Sequence, residues 1–118
     1  MQIINKTQGT VLASKVFLAK GFWARTRGLL GKKALAPGEA LVIFYCQAIH
    51  MFFMRFSIDV VFVDKTQRVV GLVRGIKPFC MSPVFFKAFW AIELEAGAIE
   101  RTRTALGDIL EAGLLDIV

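Results

Sequence analysis

A mainly β domain with one or two short helices is what this sequence predicts, and three observations carry that expectation. Short runs rich in Ile, Val and Phe recur between turn-forming residues. Several of those runs are apolar on both faces, as in central strands covered from either side. Helical spacing is confined to two brief stretches.

The elements follow in chain order. Gln2–Asn5 alternates weakly and Thr10–Leu18 carries Val11, Val16 and Phe17, so both are strand candidates. Phe22, Trp23, Thr26, Leu29 and Leu30 recur at helical spacing, with Gly31 placed as a stop, which predicts a helix over Phe22–Leu30. Ala36-Pro37-Gly38-Glu39 is a turn by its Pro-Gly chemistry. Three strands are expected next, Ala40–Tyr45, Gln47–Phe56 and Ile58–Asp64, the last turning through the polar Asp64–Gln67 into Arg68–Arg74. Pro78 and Pro83 mark Lys77–Pro83 as a loop. Phe85–Ala96 reads as a strand whose end sends Trp90, Ile92 and Leu94 one way and Glu93 and Glu95 to a wet face. Ala98–Ala105 is a second short helix candidate, and Leu106-Gly107-Asp108 turns the chain into a strand region near Ile109–Val118. With no repeat, linker or low-complexity segment, one domain is expected over residues 1–118.

Composition narrows the class. The chain has 118 residues, 56% hydrophobic and only 20% charged, which excludes a disordered tail. Its net charge of +6 is uneven. Residues 1–88 hold 13 Lys/Arg against three acids, a balance of +10, and residues 89–118 hold two Arg against six acids, a balance of −4. A basic body attracts nucleic acid, an anionic membrane or an acidic partner, although a solvated surface is the plainest use of such charge. Lys32-Lys33 is the one adjacent basic pair, so nucleic acid is not the partner expected. Cys46 and Cys80 are read as free thiols of a reducing compartment, with a disulfide left open. No signal peptide is evident, and the longest stretch free of charged side chains, Ala40–Met54 at 15 residues, falls short of a membrane span. A soluble cytoplasmic protein is expected.

Few residues offer chemistry. Cys46 and His50 share a face, but on a strand they stand roughly 13 Å apart, too far for one metal or a nucleophilic pair. No metal and no cofactor is expected, and no catalytic set is assigned. His50, the single His, is either a satisfied buried imidazole or a proton carrier at a pocket mouth. Arg25, Arg27, Arg55 and Asp59 form the better constellation: a carboxylate inside an apolar strand needs a partner, and an arginine is the obvious one. The same guanidinium groups could receive a ligand carboxylate or phosphate. Glu93 and Glu95, two apart, are read as a solvated face rather than as a glycosidase pair. Phe85, Phe86, Phe89 and Trp90 are candidate partner contacts, suited to stacking a sugar or docking a protein or a second copy. No phosphate-binding glycine loop, nucleophile elbow or zinc-protease helix occurs.

Three segments together resemble a bacterial and archaeal family, domain of unknown function 192. They are Arg25-x-Arg27-Gly28-Leu29-Leu30, the run from His50-Met51-Phe52-Phe53-Met54-Arg55 through Ile58-Asp59-Val60-Val61-Phe62-Val63-Asp64, and Leu94-Glu95-Ala96-Gly97 with Gly107-Asp108 following. Departures are small: Asp64-Lys65-Thr66-Gln67 lacks the usual Asp-Gly, Leu30 stands where Met is common, and Ser57 where Thr or Pro is common. The resemblance implies a jelly-roll-like or barrel-like sandwich and no established activity. The functional expectation is therefore a non-enzymatic binding module for a small anionic or sugar-like ligand or a peptide. Its cleft would lie between the sheet and the Arg25–Leu30 helix, lined by Arg25, Arg27, His50, Arg55 and Asp59. The alternatives are a low-signature enzyme using His50 as acid or base, and a protein–protein interaction domain.

Overall fold

The computed structural model describes residues 2–19, 35–49, 51 and 56–112. Eight strands and one helix are defined within them: β1 (Ile3–Asn5), β2 (Thr10–Ala13), β3 (Lys15–Ala19), β4 (Glu39–Phe44), β5 (Ile58–Val63), β6 (Val69–Ile76), β7 (Trp90–Glu95), α1 (Ala98–Thr102) and β8 (Leu110–Glu111). The apolar period of two in β4, β5 and β7 divides their side chains between two cores. Val42, Val61, Trp90, Ile92 and Leu94 face one core, which Ile3, Leu12, Ile99 and Leu110 complete. Leu41, Ile43, Val60, Phe62 and Ala91 face the other, with Ile49, Met51, Ile58 and Ile76.

The strands form a five-stranded sheet in the order β3-β4-β7-β5-β6 and a three-stranded sheet in the order β2-β1-β8. The two stack as a sandwich and do not close into a barrel, which selects between the two expected architectures. All pairings are antiparallel except β3 with β4. The central strands meet expectation, with every residue of β5 buried.

Differences have local causes. Tyr45 ends β4 in a left-handed conformation at φ 56°, and among the described residues nothing in Gln47–Phe56 is strand. Gln47, Ile49 and Met51 instead exchange hydrogen bonds with the loop that follows β6. The strand expected from Phe85 begins only at Trp90, because the Ala88 amide donates to the Phe85 carbonyl (2.9 Å) and closes a turn. The wet face expected for Glu93 and Glu95 is also corrected. β7 is the middle strand of the larger sheet and covered on both sides, so Glu93 is fully buried. Glu95 is largely covered as well and binds the Arg101 guanidinium at 2.8 Å. The second helix stops at Thr102 because Arg103 turns left-handed. The Phe22–Leu30 helix and the chain beyond Ala112 lie outside the described residues.

Candidate functional site

Asp59 carries a carboxyl group inside an apolar strand and needs hydrogen-bond donors there. It is 1% exposed, and its two oxygens accept three backbone N–H groups: Gly75 at 2.7 Å, Gly97 at 3.1 Å and Ile99 at 2.9 Å. Gly97 caps α1 and Ile99 lies in its first turn, where N–H groups have no partner within the helix. Among the described residues the donors to Asp59 are backbone amides, and the arginines expected beside it, Arg25, Arg27 and Arg55, lie outside those residues. The residue pins β5 to β6 and to the start of α1. Arg25, Arg27, His50 and Arg55 lie outside the described residues.

The four aromatic residues separate. Trp90 is fully buried in the inter-sheet core, with its indole N–H unbonded, so it is corrected from partner contact to core. Phe85 turns inward as well: its ring lies 4.5 Å from that of Phe62 and covers Gly71. Phe86 is 81% exposed. Phe89 is half-buried, edge-on to Tyr45 at 4.6 Å and to Trp90 at 4.8 Å, with the Lys65 ammonium 5.0 Å from its ring centre.

Phe86 and Phe89 line an open cleft of about 410 Å³ together with Gln47, Lys65, Thr66 and Lys87. Its walls are fixed by local chemistry. Gln47 accepts from the Phe85 amide through its carbonyl (2.9 Å) and donates its side-chain amide to the Phe86 carbonyl (2.8 Å). The β5–β6 hairpin forms the opposite wall. One oxygen of Asp64 accepts the Thr66 amide at 2.8 Å, the Thr66 hydroxyl at 2.7 Å and the Arg68 amide at 3.1 Å. Partial burial opposes the charge of Asp64, but these bonds and the Arg68 guanidinium outweigh it and hold its carboxyl below the usual aspartate range. The one carboxylate in the cleft is thereby engaged in its own turn, while Lys65 and Lys87 carry two ammonium groups on exposed stems. Such a site can receive an anion beside an aromatic ring.

Sequence reasoning singled out Phe86 and Phe89 and missed Gln47, Lys65, Thr66 and Lys87. The signal was there in weak form: no acid occurs between Asp64 and Glu93, and five basic residues do. Cys46 packs against the second core and directs its thiol to the Ala48 carbonyl at 3.1 Å, in keeping with a small hydrophobe. Both cysteines are free thiols. Among the described residues no group of three His, Cys, Asp or Glu could hold a metal, and no helix is long and apolar enough to cross a membrane.

A second polar cluster lies around Asp108, whose carbonyl accepts the Val69 amide at 2.8 Å. The Asp108 carboxylate accepts the Asn5 side chain at 3.0 Å, the Gln8 side chain at 3.1 Å and the Ala105 amide at 2.9 Å. It ties Asn5 of β1 to the turn that leads into β8.

Comparison with known proteins gives a consistent picture. The model of the DUF192 family, described as Uncharacterized ACR, matches residues 3–112. A UPF0127 protein of Thermococcus sibiricus is 33% identical over 117 residues, covering 92% of this chain and 73% of its own length. One from Pyrococcus horikoshii is 34% identical over 112 residues, covering 90% and 94%. The crystal structure of a protein of unknown function from Novosphingobium aromaticivorans superposes with a TM-score of 0.81 at 19% identity, over 95% of this chain and 84% of that one. A second, from Sinorhizobium meliloti, gives a TM-score of 0.78 at 20% identity, over 93% and 89%. These two structures share the fold.

Proposed function

This chain belongs to the DUF192 family, whose members are uncharacterised, and we propose that it acts as a non-catalytic binding module for a small anionic ligand with a flat apolar face. One observation carries the reading: Lys65 and Lys87 line the same cleft as the rings of Phe86 and Phe89. Anion and ring recognition therefore sit side by side, and Gln47 and Thr66 supply polar groups that orient a ligand. Asp59 is not among the residues that line this cleft; its oxygens accept the Gly75, Gly97 and Ile99 amides, and a ligand role for it is a separate proposal, tested by Asp59→Asn. Arg25, Arg27, His50 and Arg55 stay as proposed ligand contacts on their chemistry alone, each to be tested by its alanine variant.

The test is an amide chemical-shift titration with phenyl phosphate, which joins an anion to a ring. The expected result is saturable shifts clustered at Gln47, Thr66, Lys87 and Phe89, and their loss in Lys65→Ala/Lys87→Ala. No saturable shift, or shifts confined to other surfaces, would contradict the proposal.

A further inference from the structure

The loop after β6 displays apolar side chains on a backbone that is firmly held. The Phe79 amide donates to the Met51 carbonyl (2.6 Å), the Met51 amide to Cys80 (2.8 Å), the Ser82 amide to Ile49 (2.8 Å) and the Phe85 amide to Gln47 (2.9 Å). The Ser82 hydroxyl accepts the Ile49 amide at 2.9 Å. On this frame Phe79 is 71% exposed, Met81 66%, Val84 50% and Phe86 81%. Fraying does not account for that exposure. Phe79 even takes a left-handed backbone, φ 65°, a conformation bulky residues avoid unless the surroundings impose it.

Basic residues predominate around the stripe, and Asp64, the one carboxylate of the adjoining cleft, is bonded within its own turn. Lys77 and Lys87 bracket the stripe, and Lys65, Arg68 and Arg74 are exposed on the hairpin and strand before it. The chain has no acid from Lys65 to Ile92. Phe86 and Lys87 belong both to the stripe and to the cleft described above.

We propose that this stripe docks the protein on an anionic lipid bilayer, with Phe79, Met81, Val84 and Phe86 entering the interfacial layer and a lipid phosphate taken between Lys65 and Lys87. The inference rests on the anion-binding reading of the cleft and names its ligand as a headgroup. Two arguments favour lipid over a protein partner. Side chains exposed by half to four-fifths are knobs, and a protein would need a matching pocket for each, whereas a fluid interface forms around them. Flanks in which Lys65, Arg68, Arg74, Lys77 and Lys87 outnumber Asp64 complement an anionic membrane surface, which attracts each nearby Lys or Arg.

The experiment is co-sedimentation of the full chain with vesicles of phosphatidylcholine alone and of equimolar phosphatidylcholine and phosphatidylglycerol. The phosphatidylglycerol vesicles are expected to bind, and added salt to weaken them. Phe79→Ser/Phe86→Ser and Lys65→Ala/Lys87→Ala should each lower partitioning at least about tenfold. Phe79→Trp supplies a direct readout, its emission shifting to the blue on adding those vesicles. Unchanged thermal midpoints would show that the variants fold. Absence of binding to phosphatidylglycerol vesicles, or binding indifferent to these substitutions, would overturn the proposal. So would concentration-dependent self-association abolished by Phe86→Ser without vesicle binding, which would assign the stripe to a second copy. If vesicles fail while phenyl phosphate still shifts the cleft amides, docking falls and the anion site stands; failure of both removes the two together.

Discussion

The carboxylate of Asp59 accepts the backbone N–H of Ile99 at 2.9 Å, a bond that joins β5, the first strand of the β5–β6 hairpin, to the first turn of α1. The Gly75 and Gly97 amides complete the set, so one buried side chain satisfies three donors from two segments, β6 and the start of α1. Backbone amides are strong donors, and a buried carboxyl group that accepts three of them has much of its hydrogen-bonding capacity met.

Asp59→Asn should therefore destabilise the fold by about 2–4 kcal/mol, because an amide group would turn two donors toward backbone donors. Urea denaturation checks this. A loss below about 1 kcal/mol would mean the three bonds contribute little. Phenyl phosphate binding of the folded variant should stay unchanged, since Asp59 does not line the cleft.

Gly71 and Phe85 form a second tight relationship. A β-carbon at Gly71 would collide with the Phe85 ring, which itself stacks on Phe62. Gly71→Ala is expected to cost about 1–3 kcal/mol through overpacking. Phe85→Leu should cost stability on its own yet lessen the penalty of Gly71→Ala, giving a coupling of about 0.5 kcal/mol or more in a double-mutant cycle. Strict additivity of the two losses would contradict the contact.

Asp108 predicts the acid limb of stability. Burial works against its charge, but the Asn5 side chain, the Ala105 amide and the Gln8 side chain hold its carboxyl below the usual aspartate range. A depressed folded-state value means the carboxylate stabilises the fold above the ordinary aspartate value, and that contribution is lost as pH falls through the lower folded value. Stability measured by denaturant should fall below about pH 4. Asp108→Asn should be less stable at neutral pH and show a shallower acid slope. Parallel wild-type and variant slopes would exclude Asp108 as the cause.

What was legible in the sequence was local. Pro37-Gly38 marks its turn, the Asp64–Gln67 segment closes its hairpin, and the doubly apolar β5 is buried on both faces. What was not legible depended on distant partners. The alternation of Glu93 and Glu95 with Ile92 and Leu94 is the signature of a half-wet strand, yet strand order places β7 between β4 and β5 and buries it. The donors to Asp59 come from 16, 38 and 40 residues downstream, and backbone amides leave no mark in a sequence. The cleft draws on Gln47, the Lys65–Thr66 turn and the Phe86–Phe89 turn, which only the folded chain assembles. Phe86 and Phe89 could be picked out as aromatic candidates, but nothing local distinguished them from Phe85 and Trp90, which fold inward.

The central claim is that Lys65 and Lys87 hold an anion beside Phe86 and Phe89. Titration calorimetry of phenyl phosphate against the wild type, Lys65→Ala/Lys87→Ala and Phe86→Ala at low and high salt tests it most directly. Wild-type binding should weaken with salt, fall about tenfold or more in the double lysine variant, and show a smaller, salt-independent loss in Phe86→Ala. Equal affinities in all three proteins, or no heat of binding to the wild type, would contradict it.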